Sequence, residues 1–151
     1  MIKTHKLIAG CLGIGYVKGG GTLAAILCCV GWWLVQADGN FNKIMILVTA
    51  AVTLAGTWSA TMVEPHWGKD SSRIVIDEAA GMCISLLFVP VTVQYLVAGL
   101  LLFRFFDIIK PLYIRNAESL SGGWGVMMDD VLAGLYTNIV LQVLIYFNIL
   151  K

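Results

Sequence analysis

The sequence predicts an all-α integral membrane protein: a single-domain helical bundle of about five helices, with a hairpin at Pro90 and a polar site at one set of helix ends. Three observations carry this. The 151 residues are 59% hydrophobic and only 13% charged, with a mean hydropathy of +0.85; an average soluble domain is about 45–50% apolar and about 25% charged. The charges are also confined. Residues 19–37, 44–63, 79–103 and 131–150 contain no Asp, Glu, Lys or Arg, and about 20 mostly apolar residues span a bilayer as a helix. Finally, eight of the nine acids (all but Asp38) fall between these windows: Glu64, Asp70, Asp77, Glu78, Asp107, Glu118, Asp129 and Asp130. A net charge of +1 without a basic block gives nucleic-acid binding no electrostatic support.

The elements follow in order. Residues 7–17 are too short to span and read as interfacial or re-entrant. Lys3 and Lys6 precede a lipoprotein-like Ile8-Ala9-Gly10-Cys11, but no apolar stretch separates them, so no signal peptide is expected. Gly19-Gly20-Gly21 leads into a helix over 22–37, and a second helix covers 43–65. Trp32, Trp33, Trp58 and Trp67 sit near window ends or flanks, as interfacial anchors do. Pro90 breaks the window 79–103 into helices 74–89 and 91–110, which would reach roughly 24 and 28 Å. The last helix covers 127–149. With that hairpin, Lys3, Lys6, Lys18, Lys69, Arg73, Arg104, Lys110 and Arg115 share one side, and only Lys43 and Lys151 lie opposite. The positive-inside rule makes the acid-bearing side cytoplasmic. Cys11, Cys28, Cys29 and Cys83 form no Cys-x-x-Cys pair and read as small buried hydrophobes.

Three clusters then share one site: Asp70 with Ile74-Val75-Ile76-Asp77-Glu78; Arg104 to Pro111; and Gly122 to Asp130. Arg104, Asp107 and Lys110 are spaced i, i+3, i+6 on one helix face. Asp130, Gly134 and Asn138 line another face, and Gly81 and Ser85 continue that of Asp77, small residues that let helices approach closely. Carboxylates without His or Cys suit a hard cation, best Mg²⁺. Neighbouring Arg and Lys suit a phosphate. Together they read as metal-assisted phosphoryl chemistry. Singly, each acid pair is as well explained by a helix dipole. As a set at membrane-helix ends they point to function. Glu118 reads as structural, and His5 and His66 as bland surface or interface residues. The glycine run before Thr22 reads first as a flexible turn, with anion binding the weaker alternative.

At these residues the sequence resembles the phosphatidylglycerophosphatase A family, from about Gly13 to Gly134. The likeness lies in Asp70 with Ile74 to Glu78 and Gly81, in Phe103-Arg104 through Asp107, Lys110, Pro111, Ile114 and Arg115, and in Gly122 to Asp130 with Ala133-Gly134. Gly20-Gly21-Thr22 stands where the family usually carries Pro-Gly-Thr. The resemblance implies a single membrane-embedded, Mg²⁺-dependent phosphatase domain in a bacterial inner membrane, with its site facing the cytoplasm. Its substrate would be a membrane phospholipid, phosphatidylglycerophosphate, hydrolysed to phosphatidylglycerol. Asp77, Glu78, Asp129 and Asp130 are the candidate metal contacts. Glu78 and Asp107 are candidates for ligand or general base. Arg104, Lys110 and Arg115 would hold the phosphomonoester, with Thr22 adding a hydrogen bond.

Rival chemistries lack their residues. No cysteine has an arginine six positions on, no Asp-x-Asp pair exists, and only His5 and His66 could serve as histidine nucleophiles. The Asp-Gly…Ala-Arg signature of a CDP-alcohol phosphotransferase is absent too, Asp38-Gly39 reading as a turn. The non-enzymatic alternative is a small transporter or structural membrane subunit with its acids along an ion path.

Overall fold

The computed structural model describes residues 1–36, 41–69, 71–111, 113–117 and 119–150. Asp38, Gly39, Asp70, Glu118 and Lys151, used in the sequence reading, lie outside the described residues. Among the described residues the fold has seven α-helices and one 3₁₀ segment, and no strand occurs. In order they are α1 (Ile2–Ala9), the 3₁₀ segment (Cys11–Tyr16), α2 (Gly20–Val35), α3 (Phe41–Trp67), α4 (Ile76–Ser85), α5 (Val93–Ile109), α6 (Ile114–Ala117) and α7 (Gly123–Tyr146). The all-helical expectation therefore holds, with more and shorter pieces than five spans. Among the described residues only α3 and α7 are long and apolar enough to cross a membrane, and α2 is a shorter apolar helix.

α4 is the centre of the bundle. It packs on α7 most extensively, then on α3, α2 and α5, and eight of its ten residues are buried. Its composition explains why it can sit there. Ala79, Ala80 and Gly81 keep it thin. A Cβ on Gly134 of α7 would lie 2.3 Å from the carbonyl oxygen of Gly81, and one on Gly81 would lie 2.6 Å from that of Asp130. The two helices meet backbone to backbone, as the small residues in both series predict. Phe103 of α5 fills the remaining space against Gly81 and is fully buried.

The helix 74–89 expected from sequence is shorter in the structure. It ends at Ser85, about 15 Å long. The reason is on α7. The Asn138 side-chain amide donates to the carbonyls of Ile84 (3.2 Å), Ser85 (3.0 Å) and Leu87 (2.8 Å). Gln142 donates to Leu87 and Phe88 at 3.4 Å. Helix-end carbonyls need such partners when buried, and here a neighbouring helix supplies them. Phe88 then takes a left-handed φ of 59°, and Thr92 caps α5 by accepting the Tyr95 N–H at 3.5 Å.

The interior holds several polar side chains, while much of the surface is apolar. Asp77, Asp129, Asp130, Ser59, Ser85 and Thr137 are buried, while Leu47, Leu54 and Trp58 of α3 and Leu101 and Ile108 of α5 are each more than 60% exposed. An exposed apolar surface this extensive marks contact with lipid or protein. Thr49, Thr53, Thr57 and Thr61 sit at four-residue intervals on α3, and each hydroxyl donates to the carbonyl four residues back at 2.7–2.8 Å. Thr61 also accepts the Gly123 N–H at 3.0 Å, tying the start of α7 to α3.

Candidate active site

The starts of α2, α4 and α7 and the ends of α3 and α5 gather at one end of the bundle. Asp77 and Glu78 stand in the first turn of α4, where the helix dipole favours negative charge. The Asp77 carboxylate accepts the Glu78 N–H at 3.0 Å. The last helix begins at Gly123, four residues before the expected 127. Asp129 and Asp130 therefore lie beyond its first turn, so a dipole at the helix start no longer accounts for them. Both are nevertheless buried. A buried carboxylate needs a partner, and the two find different ones.

Asp129 accepts the Asp130 N–H on Oδ1 at 3.0 Å and an ammonium proton of Lys110 on Oδ2 at 2.6 Å. Lys110 is reached because α5 ends at Ile109. Lys110 adopts a left-handed conformation (φ 49°, ψ 55°) ahead of Pro111, in keeping with the disfavouring of the right-handed helix for a residue before proline. It thus leaves the face shared by Arg104 and Asp107, and the expected i, i+3, i+6 row stops at its second member. Arg104 and Asp107 do pair, Nη1 to Oδ2 at 2.7 Å, and Arg104 Nη1 lies 4.0 Å from Glu78 Oε1.

Asp130 turns to α4. One carboxylate oxygen from each of Asp77, Glu78 and Asp130 lies within 4.8 Å of the others, and Asp107 is within reach of Asp130. Glu78 Oε2 is buried with no hydrogen-bond partner. Three carboxylates at this range demand a cation or shared protons between them. An all-oxygen donor set suits Mg²⁺ or another hard divalent ion. The residues present therefore fit the cation expected from sequence, with Asp129 set apart from the three.

Beside the acids is a cavity of about 630 Å³. The segment before α2 and its first turn wall one side, with Lys18, Gly19 to Gly21 and Thr22; Ser72, Arg73, Glu78 and Arg104 close the other. Glu78 belongs to both the acid cluster and the cavity wall. Gly21 makes this possible, because a Cβ there would lie 1.8 Å from Glu78 Oε1. The glycine run, first read as a flexible turn, is packed against the acid cluster. Backbone N–H groups in the first turn of α2 have no intrahelical carbonyl to bond, and they lie beside the cavity's cations.

Of the residues expected to bind substrate, Thr22 and Arg104 line this cavity. Lys110 engages Asp129 instead, and Arg115 is exposed on α6. Sequence reasoning used Arg73 only for its charge. In the structure it stands in the cavity wall, 5.8 Å over the Tyr16 ring. A Cβ on Gly15 would lie 2.0 Å from the Arg73 carbonyl, which shows how closely the two segments pack. The available signal was the polar Ser71-Ser72-Arg73 just ahead of the acid pair. His5, expected at a surface or interface, is instead buried where α1 packs on α3, 3.3 Å from Ser59 Oγ. Burial pushes the Cys11 thiol up to about 11, leaving it protonated and a poor nucleophile at neutral pH.

The phosphatidylglycerophosphatase A family model matches residues 7–145. A Bacteroides thetaiotaomicron protein provisionally named a phosphatidylinositol-3-phosphatase is 41% identical, covering 94% of this chain and 96% of its own. The Haemophilus influenzae protein named phosphatidylglycerophosphatase A is 40% identical over 70% of this chain and 66% of its own. The Escherichia coli protein of the same name is 39% identical over 76% and 67%. No solved structure matches.

Proposed function

The chain belongs to the phosphatidylglycerophosphatase A family, and from that premise we propose that it is a lipid phosphatase removing the terminal phosphate of phosphatidylglycerophosphate. The observation that carries this is Glu78. It joins a three-carboxylate cluster with Asp77 and Asp130 to a cavity bearing Lys18, Arg73 and Arg104. A site that places a hard cation beside an anion pocket suits a phosphomonoester.

In this reading Asp77, Glu78 and Asp130 hold Mg²⁺, which supplies charge compensation and an activated water. Arg73, Arg104 and Lys18 receive the phosphoryl oxygens, and Thr22 with the first turn of α2 adds hydrogen bonds. Arg104 is aimed by Asp107. Asp129 and Lys110 act from behind, fixing Asp130 through its backbone and tying the end of α5 to α7. Donors set in place before reaction stabilise charge as it develops on the phosphoryl group.

The reading includes a bacterial inner-membrane location. α2, α3 and α7 cross, the α4–α5 pair enters and returns around Pro90, and the site faces the cytoplasm. The lipid's tails then stay in the bilayer while its headgroup reaches the cavity from the interface. A second headgroup is favoured by one observation: the relative covering nearly the whole chain is named for a phosphoinositide substrate. Both substrates present a phosphomonoester on a diacyl lipid.

Phosphate release by purified protein in detergent, from each lipid, with Mg²⁺ or with excess chelator, tests the proposal. Release that needs Mg²⁺ and disappears in Asp130→Asn supports it, and the preferred lipid selects the headgroup. A folded protein that releases phosphate from neither lipid overturns it in favour of a transport or structural role.

A further inference from the structure

α2 and α3 both pack on α4 yet scarcely touch each other. Between them runs an apolar groove of about 290 Å³, walled by Cys28, Gly31 and Val35 of α2 and by Val48 and Val52 of α3, with Cys83 of α4 in its lining. It extends about 10 Å along α2. A missing side chain keeps it open, since a Cβ on Gly31 would meet nothing within 4 Å.

The groove lies directly below the polar cavity on the same two helices. Thr22 and Glu78 line the cavity, whereas Cys28 and Cys83 line the groove. These steps are about 9 Å along α2 and about 8 Å along α4. A cation-bearing compartment therefore sits one to two helical turns above an apolar slot, and the slot opens sideways between helices. That is the order of parts in a phospholipid, phosphate above and acyl chain beneath.

We propose that the groove seats one acyl chain of the lipid whose phosphate enters the cavity, an inference that rests on the lipid-phosphatase reading. Its contribution is orientation, not partition. A tail moving from bilayer to groove gains no hydrophobic free energy, because lipid is as apolar as the groove wall. Seating the tail fixes the depth and rotation of the headgroup over Glu78, and positioning of that kind governs rate.

The test fills the slot with Gly31→Phe, and from the opposite wall with Val48→Trp in case the first variant fails to fold. Each is compared with the unmodified protein on a long-chain diacyl phosphomonoester and on a short-chain, water-soluble analogue bearing the same headgroup. A phospholipid with a diazirine midway along one acyl chain is photolysed in the reconstituted membrane. The expected result is a fall of about tenfold in the long-chain to short-chain ratio of kcat/KM. Label should concentrate on residues 28–35 and 44–52 and decline in the variants. An unchanged ratio, or label spread evenly over the outer faces of α2, α3 and α5, overturns the proposal. If the unmodified protein releases phosphate from neither substrate, the phosphatase reading falls, and the labelling pattern alone decides the groove.

Discussion

Adding one methyl group at Gly134 should disable the acid cluster without touching it. A Cβ at that position would lie 2.3 Å from the Gly81 oxygen, 3.0 Å from its carbonyl carbon and 3.1 Å from its Cα. All three are backbone atoms, so no side chain can rotate aside. Carbon approaches a carbonyl oxygen comfortably at about 3.3 Å, so α4 and α7 must part by about 1 Å. Asp130 lies one turn before Gly134, and Asp77 one turn before Gly81, so the parting carries into the acids. Oxygens on one Mg²⁺ lie at most about 4.2 Å apart, twice the bond length of about 2.1 Å. The three carboxylates lie within 4.8 Å of one another, so they need only a small closure to share one ion, and a further 1 Å of separation opposes that closure. A displacement of this size costs about 100-fold in rate, with about 1–3 kcal/mol of stability lost to overpacking. Phosphate release across a Mg²⁺ titration reads the effect. Gly134→Ala should lower kcat/KM about 100-fold and raise the Mg²⁺ concentration for half-maximal rate, while Leu54→Ala, on the exposed face of α3, should do neither. A folded Gly134→Ala protein with the unmodified Mg²⁺ response would refute the reasoning.

Other substitutions separate the remaining roles. Asp77→Asn and Asp130→Asn should each reduce turnover by about 1,000-fold or more with helicity intact, because each removes a charge that a cation site requires; circular dichroism alongside the assay distinguishes this from misfolding. Arg73→Ala should raise KM about tenfold and change kcat little if it holds the phosphate equally in ground and transition states. Lys110→Ala should lower activity and destabilise the fold together, by about 3 kcal/mol, because it removes the cation paired with the buried Asp129 carboxylate; Lys110→Arg should recover part of both. Asn138→Leu should cost about 1 kcal/mol in a denaturant titration, since two amide N–H donors, shared among three carbonyls, are lost at about 0.6 kcal/mol each.

Much of this arrangement was legible from spacing. The series Asp77, Gly81, Ser85 and Asp130, Gly134, Asn138 predicted two faces that meet, and they meet layer by layer: acid beside acid, glycine on glycine, amide on carbonyl. Pairing of Arg104 with Asp107 also followed from helical spacing. Conformations at element ends were not legible. A left-handed turn at Lys110 sent it to Asp129, and the early start of α7 moved the Asp129–Asp130 pair beyond the helix's first turn. Nor could spacing reveal Arg73, whose segment packs against Gly15 at a distance a side chain there would forbid. The short α4 was hidden for a similar reason. Its end is set by Asn138, 53 residues downstream of Ser85, and no local signal carries a contact of that range.

That long interval has a counterpart in time. A ribosome adding about 5–20 residues per second completes α4 roughly 3–10 seconds before Asn138 is joined to the chain. Until then the carbonyls of Ile84, Ser85 and Leu87 must find water, or the insertion machinery, as a temporary partner. α4 and α5 therefore cannot settle in their final places during synthesis, and the last helix to emerge completes the assembly. A chain stopped between Asp130 and Asn138 retains all of the candidate site residues yet lacks the closing contact, so quality control should find such a fragment as an unfinished fold.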